Sequence, residues 1–490
     1  MSLRTGGQSA GRGRKRGAEA ETPAQARAGR SPWTTFSVLA LIEFMTVLDT
    51  SVVNVALPSI QHDLGFSTGG LAWVVDGYLL GLAGFLLLAG RAADLVGRRR
   101  LFITGTVLFT VASLGCAMAV ADWQLIIARL VQGLGSALVI PSALALITDL
   151  FPEGPHRARA FGIFTGMGGV AAAAGVLLGG LLTSVGWPWI FLVNVPVGVA
   201  VVAVGLRTLP ATRPQASGGL DLIGALTGTA GVTALTYAVT QGPVQGWTST
   251  PMLVVLPLAV ILLAAFGIRQ RTARAPLLPT ALLRRRDLVL GNAIIALVGA
   301  VMIGTFFLIT LYLQRVRGYT PLMTGVIYLP IPLAMLAGTQ LAPRLLRRGP
   351  RNALLIGLAI QAAGLAWWAT AVGPDDQLVT EFLAPTALWS LGAGIALVSA
   401  FAACTAGVTG AIAGAASGMA TTNQYVGGAI GLAALVAIAT TGQTAAQVSG
   451  YSPALATAAG TALVAALLTR LIRPPDDTPT RMTSGSPPAA

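Results

Sequence analysis

Four charged side chains lie inside long apolar stretches of the sequence. Glu43 and Asp49 fall in the first stretch, Asp76 in the second and Arg129 in the fourth. On insertion scales, a charged side chain at the centre of a membrane helix costs about 2.5 to 3.5 kcal/mol, and such residues usually have a use. These four residues are therefore the first candidates for function.

Asp49 lies about halfway along the first apolar stretch. Desolvation disfavours the charged form of a carboxyl group, whereas a nearby arginine favours it. Such a group can take up and release a proton as its access to water changes. We predict that Asp49 is a proton-coupling residue tuned by Arg129; the alternative is an acid paired permanently with Arg129 for folding.

Glu43 and Asp76 are less clear candidates. Glu43 precedes Asp49 by six residues, which places the two side chains about 120° apart around a helix. We include Glu43 among the proton-coupling residues, with a snorkelling or structural role as the alternative. Asp76 is predicted about one turn from the outer boundary of its stretch, where it either attracts a cationic substrate or is simply hydrated.

The elements that position these charges must be membrane helices. Of the 490 residues, 54% are hydrophobic and 10% are charged, a balance unlike that of water-soluble domains. A helix needs about 20 apolar residues to cross a bilayer, and the sequence contains about fourteen such runs. The fold class predicted is an all-α polytopic membrane protein with about fourteen spans.

The distribution of basic residues sets the topology. A net charge of +14 would suggest nucleic-acid binding in a soluble protein. With both termini in the cytoplasm, nearly all arginines fall in the tails and inner loops, as the positive-inside rule requires. We therefore expect a multi-pass protein of the bacterial cytoplasmic (inner) membrane, with both termini inside, and no nucleic-acid partner.

The predicted organisation has two halves of six spans on either side of an extra pair. Repeated halves with a site between them at mid-membrane are a common plan among transporters. The two tails are too polar to pack and are predicted to be disordered. In order, the segments are a basic cytoplasmic tail at 1–33, an N-terminal six-helix bundle at 34–207, two extra spans and a loop at 208–288, a C-terminal six-helix bundle at 289–472 and a second tail at 473–490.

The segment 90–100 carries the most specific pattern in the chain. Gly90 and Gly97 permit a tight loop, and Asp94 precedes Arg98 by four residues. At this spacing the two charges can contact a neighbouring helix end in one conformation and release it in another. We predict a conformational switch at these four residues, rather than a generic basic loop.

Three motifs in this order resemble those of the major facilitator superfamily, in particular its fourteen-span drug:proton antiporter branch. They are the stretch around Asp49, the segment 90–100 and the segment 125–135 around Arg129. The resemblance implies two six-helix halves and proton-driven efflux of hydrophobic or amphipathic drugs or antibiotics by alternating access. It also implies a role for Arg129 in proton transfer, a monomer in the lipid bilayer, and the proton gradient in place of a cofactor.

Glycines in the fifth apolar stretch match the antiporter motif of that branch in part. Gly166, Gly175, Gly179 and Gly180 fit the motif, whereas Val176 stands where proline is usual. Small residues at this spacing also allow close helix packing, whatever the direction of transport. Helix packing is therefore the alternative interpretation of these glycines.

Substrate contacts and other functions are harder to predict. Trp389 and Tyr312 join Asp76 as candidate substrate contacts, with ordinary packing as the alternative. No lysine follows a glycine-rich loop and no His-Glu-x-x-His motif is present. We therefore predict no ATP site and no metal site, and we predict that the protein is not an enzyme. Two other functions stay open: a proton symporter that imports a metabolite, and a non-transporting membrane receptor on the same fold.

Overall fold

A computed structural model describes residues 32–152, 155–210, 221–273, 276–277, 285–373, 377–405, 411–440 and 450–472. Across these ranges the chain is helical and contains no β-strand. The first helix begins at Pro32, so the predicted boundary at residue 33 falls within a helix. The rest of the two predicted tails lies outside the described residues.

The N-terminal half contains six long helices. Ser67 caps the second helix by accepting a hydrogen bond from the Gly70 amide at 3.0 Å, and Gly97, with φ of 104°, separates the second helix from the third. The helices are α1 Pro32–Leu64, α2 Thr68–Val96, α3 Arg98–Ala117, α4 Asp122–Leu150, α5 Pro155–Val185 and α6 Asn194–Thr208, which follows a single turn at Trp189–Leu192.

Two further helices precede the C-terminal half, which again contains six long helices, one of them in two pieces. The extra helices α7 Leu222–Gln245 and α8 Thr250–Thr272 pack on each other as a hairpin. The C-terminal spans are α9 Arg286–Leu311 with a π-helical end at Tyr312–Val316, α10 in two pieces at Pro321–Tyr328 and Pro330–Leu346, α11 Pro350–Ala371, α12 Ala384–Cys404 after a π-helical turn at Leu378–Leu383, α13 Ala411–Thr440 and α14 Tyr451–Thr469.

The membrane fold class is confirmed. Among the described residues, twelve helical segments are long and apolar enough to cross a bilayer. Helices α2 and α5 contain shorter apolar segments, Gly70–Leu86 and Val170–Val185. The count of about fourteen is therefore approximate.

The two halves touch along two sides, and the hairpin covers one of them. Helix α5 packs against α10 on one side, and α2 packs against α13 on the other. Helix α7 contacts both α2 and α13. The α7–α8 hairpin therefore lies against a junction of the two halves.

Helices α2 and α4 approach so closely that glycine is required where they cross. A Cβ on Gly81 would overlap the carbonyl oxygen of Leu130, and a Cβ on Gly133 would overlap the carbonyl oxygen of Tyr78. Close approach through small residues is a main source of helix association in lipid, where no hydrophobic force acts between helices. This crossing sets the position of Arg129, which lies one turn before Gly133 on α4.

We expect Gly133→Ala to destabilise the protein by about 1 to 3 kcal/mol, because the added methyl group forces α2 away from α4. Thermal unfolding of the detergent-purified protein measures the effect. Gly115→Ala is the matched control, since its Cβ would meet only the Ala128 Cβ at 3.7 Å. Equal melting temperatures for the two variants would contradict the close crossing.

Candidate functional site

A buried ion pair lies at the middle of the N-terminal half. Asp49 is 0% exposed and Arg129 is 1% exposed. Arg129 Nη1 donates a hydrogen bond to Asp49 Oδ2 at 2.5 Å. Asp49 comes from the centre of α1 and Arg129 from the third turn of α4, so the partnership proposed between them is present in the fold.

Two amides complete the environment of the Asp49 carboxylate. Gln132 Nε2 and Asn194 Nδ2 donate to Asp49 Oδ1 at 2.8 Å and 2.7 Å. Gln132 also donates to Ser113 Oγ of α3 at 2.9 Å. The carboxylate therefore accepts hydrogen bonds from α4 and α6 and is linked through Gln132 to α3.

Arg129 is held on its other side by α2. Its Nε donates to the carbonyl oxygen of Val74 at 2.9 Å, and its guanidinium carbon lies 4.5 Å from the centre of the Tyr78 ring. A cation over an aromatic face is attracted by the ring quadrupole, more strongly when both are desolvated. The charge of Arg129 is thus balanced by a carboxylate, a carbonyl group and a ring.

Sequence reasoning missed Gln132, Asn194, Ser113 and Tyr78 as parts of this site. All four are uncharged, so none of them carries the large membrane penalty that singled out Asp49 and Arg129. A signal for Gln132 was present, because a side chain three residues after Arg129 lies on the same face of the helix. Asn194, at the first turn of α6, had no comparable signal.

Glu43 and Asp49 face different surroundings, as their spacing predicted. Glu43 is partly exposed; a Cβ on Gly168 of α5 would lie 3.9 Å from its Oε1. Tyr425 of α13 lies within electrostatic range of it. Glu43 therefore faces the division between the two halves, whereas Asp49 faces the interior of the N-terminal half.

Asp76 is buried within helix α2. The helix begins at Thr68, a little more than two turns before Asp76, and its apolar segment begins at Gly70. The side chain is 0% exposed, and neither carboxyl oxygen has a hydrogen-bond partner among the described residues. The two interpretations of Asp76, a contact for a cationic substrate and a hydrated carboxyl group, therefore both stay predictions.

The segment 90–100 is not a loop between two glycines. Helix α2 continues to Val96, since residues 91–96 are mostly helix-forming, and only Gly97 adopts a positive φ. Gly90 therefore lies within a helix, which corrects the prediction of a tight loop at that end. The backbone of Asp94 belongs to the last turn of α2, and its side chain lies outside the described residues.

Arg98 does reach a neighbouring helix end. Its Nη1 lies 2.5 Å from Asp149 Oδ1 and donates to the carbonyl oxygen of Ala145 at 3.3 Å. Both partners belong to the last two turns of α4. Sequence reasoning missed Asp149, which lies 51 residues away in the chain.

The fifth-span glycines bring α5 against both α1 and the other half. A Cβ on Gly175 or Gly179 would lie 3.0 Å from the carbonyl oxygens of Leu48 and Val52 of α1. A Cβ on Gly180 would lie 2.8 Å from the carbonyl oxygen of Pro321 of α10. The same glycines thus pack beside Asp49 and at the junction of the halves. The surroundings of Gly166 lie outside the described residues.

The two aromatic candidates for substrate contact lie in packed clusters. Trp389 is 1% exposed and meets the Phe306 ring edge-on at 5.1 Å. Tyr312 is 1% exposed, stacks on Phe382 at 5.6 Å and donates to the carbonyl oxygen of Gly373 at 2.7 Å. These contacts favour the packing alternative for both residues.

The comparison with known proteins decides the family. The sequence matches the Major Facilitator Superfamily profile over residues 39–432. The chain belongs to this superfamily. It is therefore a membrane transporter and not an enzyme, and transporters of this superfamily generally use ion gradients and need no cofactor.

Several relatives are named for antibiotic export or resistance. The chain is 39% identical to the cephamycin export protein CmcT of Amycolatopsis lactamdurans, over 75% of this chain and 78% of that protein. It is 38% identical to the puromycin resistance protein pur8 of Streptomyces alboniger, over 77% of this chain and 75% of that protein. It is 35% identical to the tetracenomycin C resistance and export protein of Streptomyces glaucescens, over 77% of this chain and 70% of that protein.

Solved transporter structures share the fold. The inward-open xylose transporter XylE from E. coli superposes with a TM-score of 0.64 at 15% identity, covering 91% of this chain and 98% of that one. A mutant form of the nucleoside transporter NupG superposes with a TM-score of 0.64 at 14% identity, covering 90% of this chain and 100% of that one. At such low identity the likeness concerns the fold alone.

We expect Arg129→Leu to destabilise the protein by about 3 to 5 kcal/mol, because it leaves the Asp49 carboxylate buried without its cation. Adding Asp49→Leu in the same chain should restore much of that loss, since the uncompensated charge is then gone. Chemical unfolding followed by tryptophan fluorescence gives both values. Arg100→Leu, which removes the charge of an exposed arginine, is the control for the loss of a positive charge. If the double variant were no more stable than Arg129→Leu, the loss of stability would not come from the unpaired Asp49 carboxylate.

Proposed function

We propose that this protein exports hydrophobic or amphipathic antibiotics across the bacterial cytoplasmic membrane in exchange for protons, by alternating access. The observation that carries the proposal is the Asp49 carboxylate, fully buried beside Arg129 in the N-terminal half. The names of the relatives, which include export and resistance proteins, support efflux over metabolite import and over a receptor without transport. The substrate is a small molecule.

The hydrogen bonds of Asp49 suggest how a proton could change the structure. The carboxylate accepts one bond from Arg129 and one each from Gln132 and Asn194. Protonation removes the negative charge and turns one oxygen into a hydroxyl, which is a weaker acceptor and is itself a donor. The bonds from Arg129, Gln132 and Asn194 then weaken, and with them the hold of α1 on α4 and α6.

Helix α1 can carry this change to the junction of the halves. Gly175 and Gly179 of α5 pack directly on α1 within one turn of Asp49. Gln314 Nε2, from the π-helical end of α9, donates to the carbonyl oxygen of Val55 of α1 at 2.7 Å. A shift of α1 therefore reaches both α5 and the C-terminal half. Glu43, which faces the division between the halves, is proposed as a second proton-coupling carboxyl group.

If both termini are in the cytoplasm, as we propose, two contacts hold the outer ends of the halves together. The Gln314 bond to Val55 and the close contact of Gly180 with Pro321 both lie there. Export requires these contacts to open. We propose that the bundles 34–207 and 289–472 move relative to each other, and that the Arg98–Asp149 contact belongs to one of the two states.

The test of coupling is transport in inverted vesicles with an acidic interior. Export should accumulate a lipophilic drug such as ethidium in the vesicles while protons leave, which a pH-sensitive dye reports. We expect Asp49→Asn to reduce gradient-driven accumulation at least about tenfold, because an amide cannot exchange a proton at that site. Asp49→Glu should retain part of the activity.

Asp122→Asn is the matched control, because Asp122 is an acid in the first turn of α4 whose hydrogen-bond partner among the described residues is the adjacent Trp123 amide, which donates to Asp122 Oδ1 at 2.7 Å. It should transport like the unaltered protein. Gradient-driven accumulation by Asp49→Asn at the unaltered rate, with equal protein in the vesicles, would refute the coupling assignment.

Drug susceptibility of a host strain, with and without expression, separates the three candidate functions. We expect expression to raise the minimal inhibitory concentration of at least one antibiotic severalfold, because export lowers its cytoplasmic concentration. A metabolite importer would lower it or leave it unchanged, and a receptor would leave it unchanged. Loss of the protection in Asp49→Asn, at equal expression, ties the phenotype to the buried pair.

A further inference from the structure

A cavity of about 140 Å³ lies where the α7–α8 hairpin covers the junction of the halves. Its walls come from four helices: α2 of the N-terminal half, α13 of the C-terminal half, and both helices of the hairpin. Leu277, in the segment after α8, also lines it. The cavity therefore exists only because the extra hairpin is present.

The cavity lies at the depth of the inner leaflet, given the orientation proposed above. On α7 its lining runs from Gly224 to Val232, while the helix begins at Leu222. At 1.5 Å per residue this range extends from about 3 Å to about 15 Å from the start of the helix. Half of the hydrocarbon core is also about 15 Å, so the cavity spans one leaflet and ends near the bilayer centre.

The lining of the cavity is mostly apolar, and two of its three polar side chains are hydrogen-bonded to other groups. Thr229 Oγ1 donates to the carbonyl oxygen of Ala225 at 2.8 Å, within its own helix. Asn423 Nδ2 donates to Asn292 Oδ1 and to the carbonyl oxygen of Met419, both at 2.9 Å. Among the described polar side chains of the lining, the Thr422 hydroxyl has no partner. A water molecule needs two to four polar partners, so the site suits hydrocarbon better than water.

The volume suits part of a chain rather than a whole drug. A cavity of about 150 Å³ holds benzene, which has six carbons, whereas drug sites occupy about 300 to 1,000 Å³. A stretch of about six methylene groups therefore fills this space. The outward face of α8, including Leu253, Val254 and Ile261, is exposed for contact with lipid, so chains of the surrounding bilayer lie next to the site.

Basic side chains mark the headgroup level beside the cavity. Arg91 of α2 and Arg271 of α8 are both exposed near the cytoplasmic ends of helices that line it. Arg269 pairs with Asp221 at 2.9 Å and joins the cytoplasmic ends of α8 and α7. Anionic phosphates gain about 1 kcal/mol per basic residue at such a surface.

We propose that this cavity is a lipid site that takes one acyl chain of an anionic phospholipid from the inner leaflet, with the phosphate at the level of Arg91 and Arg271. The chain lies between α2, α13 and the hairpin. It fills the space that the hairpin leaves at the junction of the halves, and it thereby stabilises the contact of α2 with α13 in the state described here.

The test uses full-length protein in nanodiscs that contain phosphatidylglycerol with a diazirine at mid-chain. After irradiation, mass spectrometry locates the labelled peptides. We expect label on α7, α8 and α13 at the cavity, and a decrease of about tenfold there in Ala225→Leu, whose larger side chain occupies the space. Val232→Phe fills the other end of the cavity and should reduce the labelling in the same way. It serves as the test if Ala225→Leu folds poorly.

Ala230→Leu is the matched control, because Ala230 lies exposed on the same helix and the substitution is identical. It should leave the labelling unchanged. Equal labelling in Ala225→Leu, Val232→Phe and Ala230→Leu would overturn the site.

Two further measurements identify which molecule supplies the acyl chain in the cavity. Phosphatidylethanolamine with the same diazirine chain should label severalfold less at equal mole fraction, because it lacks net negative charge; equal labelling would overturn the choice of an anionic lipid. Excess ethidium should not reduce labelling, whereas displacement by the drug would assign the cavity to substrate instead. Asp49→Asn should be labelled normally, so that failure of the coupling proposal is distinguishable from failure of this one.

Discussion

The N-terminal half is organised around the cost of burying Asp49 and Arg129 away from water. Removing each charge from water costs several kcal/mol even after relaxation, and the attraction between them offsets this only when further hydrogen bonds complete both groups. Here those bonds come from Gln132 and Asn194 on the acid side and from the Val74 carbonyl on the basic side. Because these residues belong to α1, α2, α4 and α6, the four helices must stay in register for the pair to be tolerated. A change of charge at Asp49 consequently acts on the packing of the whole bundle.

Close packing through small residues gives that change a route to the rest of the molecule. In lipid, packing and interhelical hydrogen bonds take the place of the hydrophobic force between helices. Gly175 and Gly179 allow α5 to lie on the backbone of α1, and Gly180 lets the same helix touch α10 of the other half. A side chain at any of these positions would separate the helices and loosen the link. Val176 replaces the proline usual in the motif, yet it is buried and its carbonyl oxygen lies 2.7 Å from where a Cβ on Gly325 would be. The contact between the halves is therefore made without that proline.

Sequence reasoning predicted the features whose placement in a bilayer has a large free-energy consequence, and it missed residues for which that consequence is small. The membrane fold and the Asp49–Arg129 partnership were accessible because each charge in lipid, and each run of about 20 apolar residues, stands out strongly. Asn194 and Asp149 were missed because their partners are distant in the chain and one is neutral. The end of α2 was placed wrongly at Gly90, since hydropathy marks the limit of the hydrocarbon and not the limit of the helix, which continues into the headgroup region.

The α7–α8 hairpin constrains how the halves can move. Helix α7 contacts α2 of one half and α13 of the other, and a Cβ on Gly84 of α2 would overlap the Thr229 side chain of α7. If the halves separate on this side, the hairpin must lose one of these contacts and follow the other half. The cavity borders both contacts, because α2 and α13 each supply residues to its lining. Separation of the halves on this side therefore opens the cavity, whichever of the two helices the hairpin leaves.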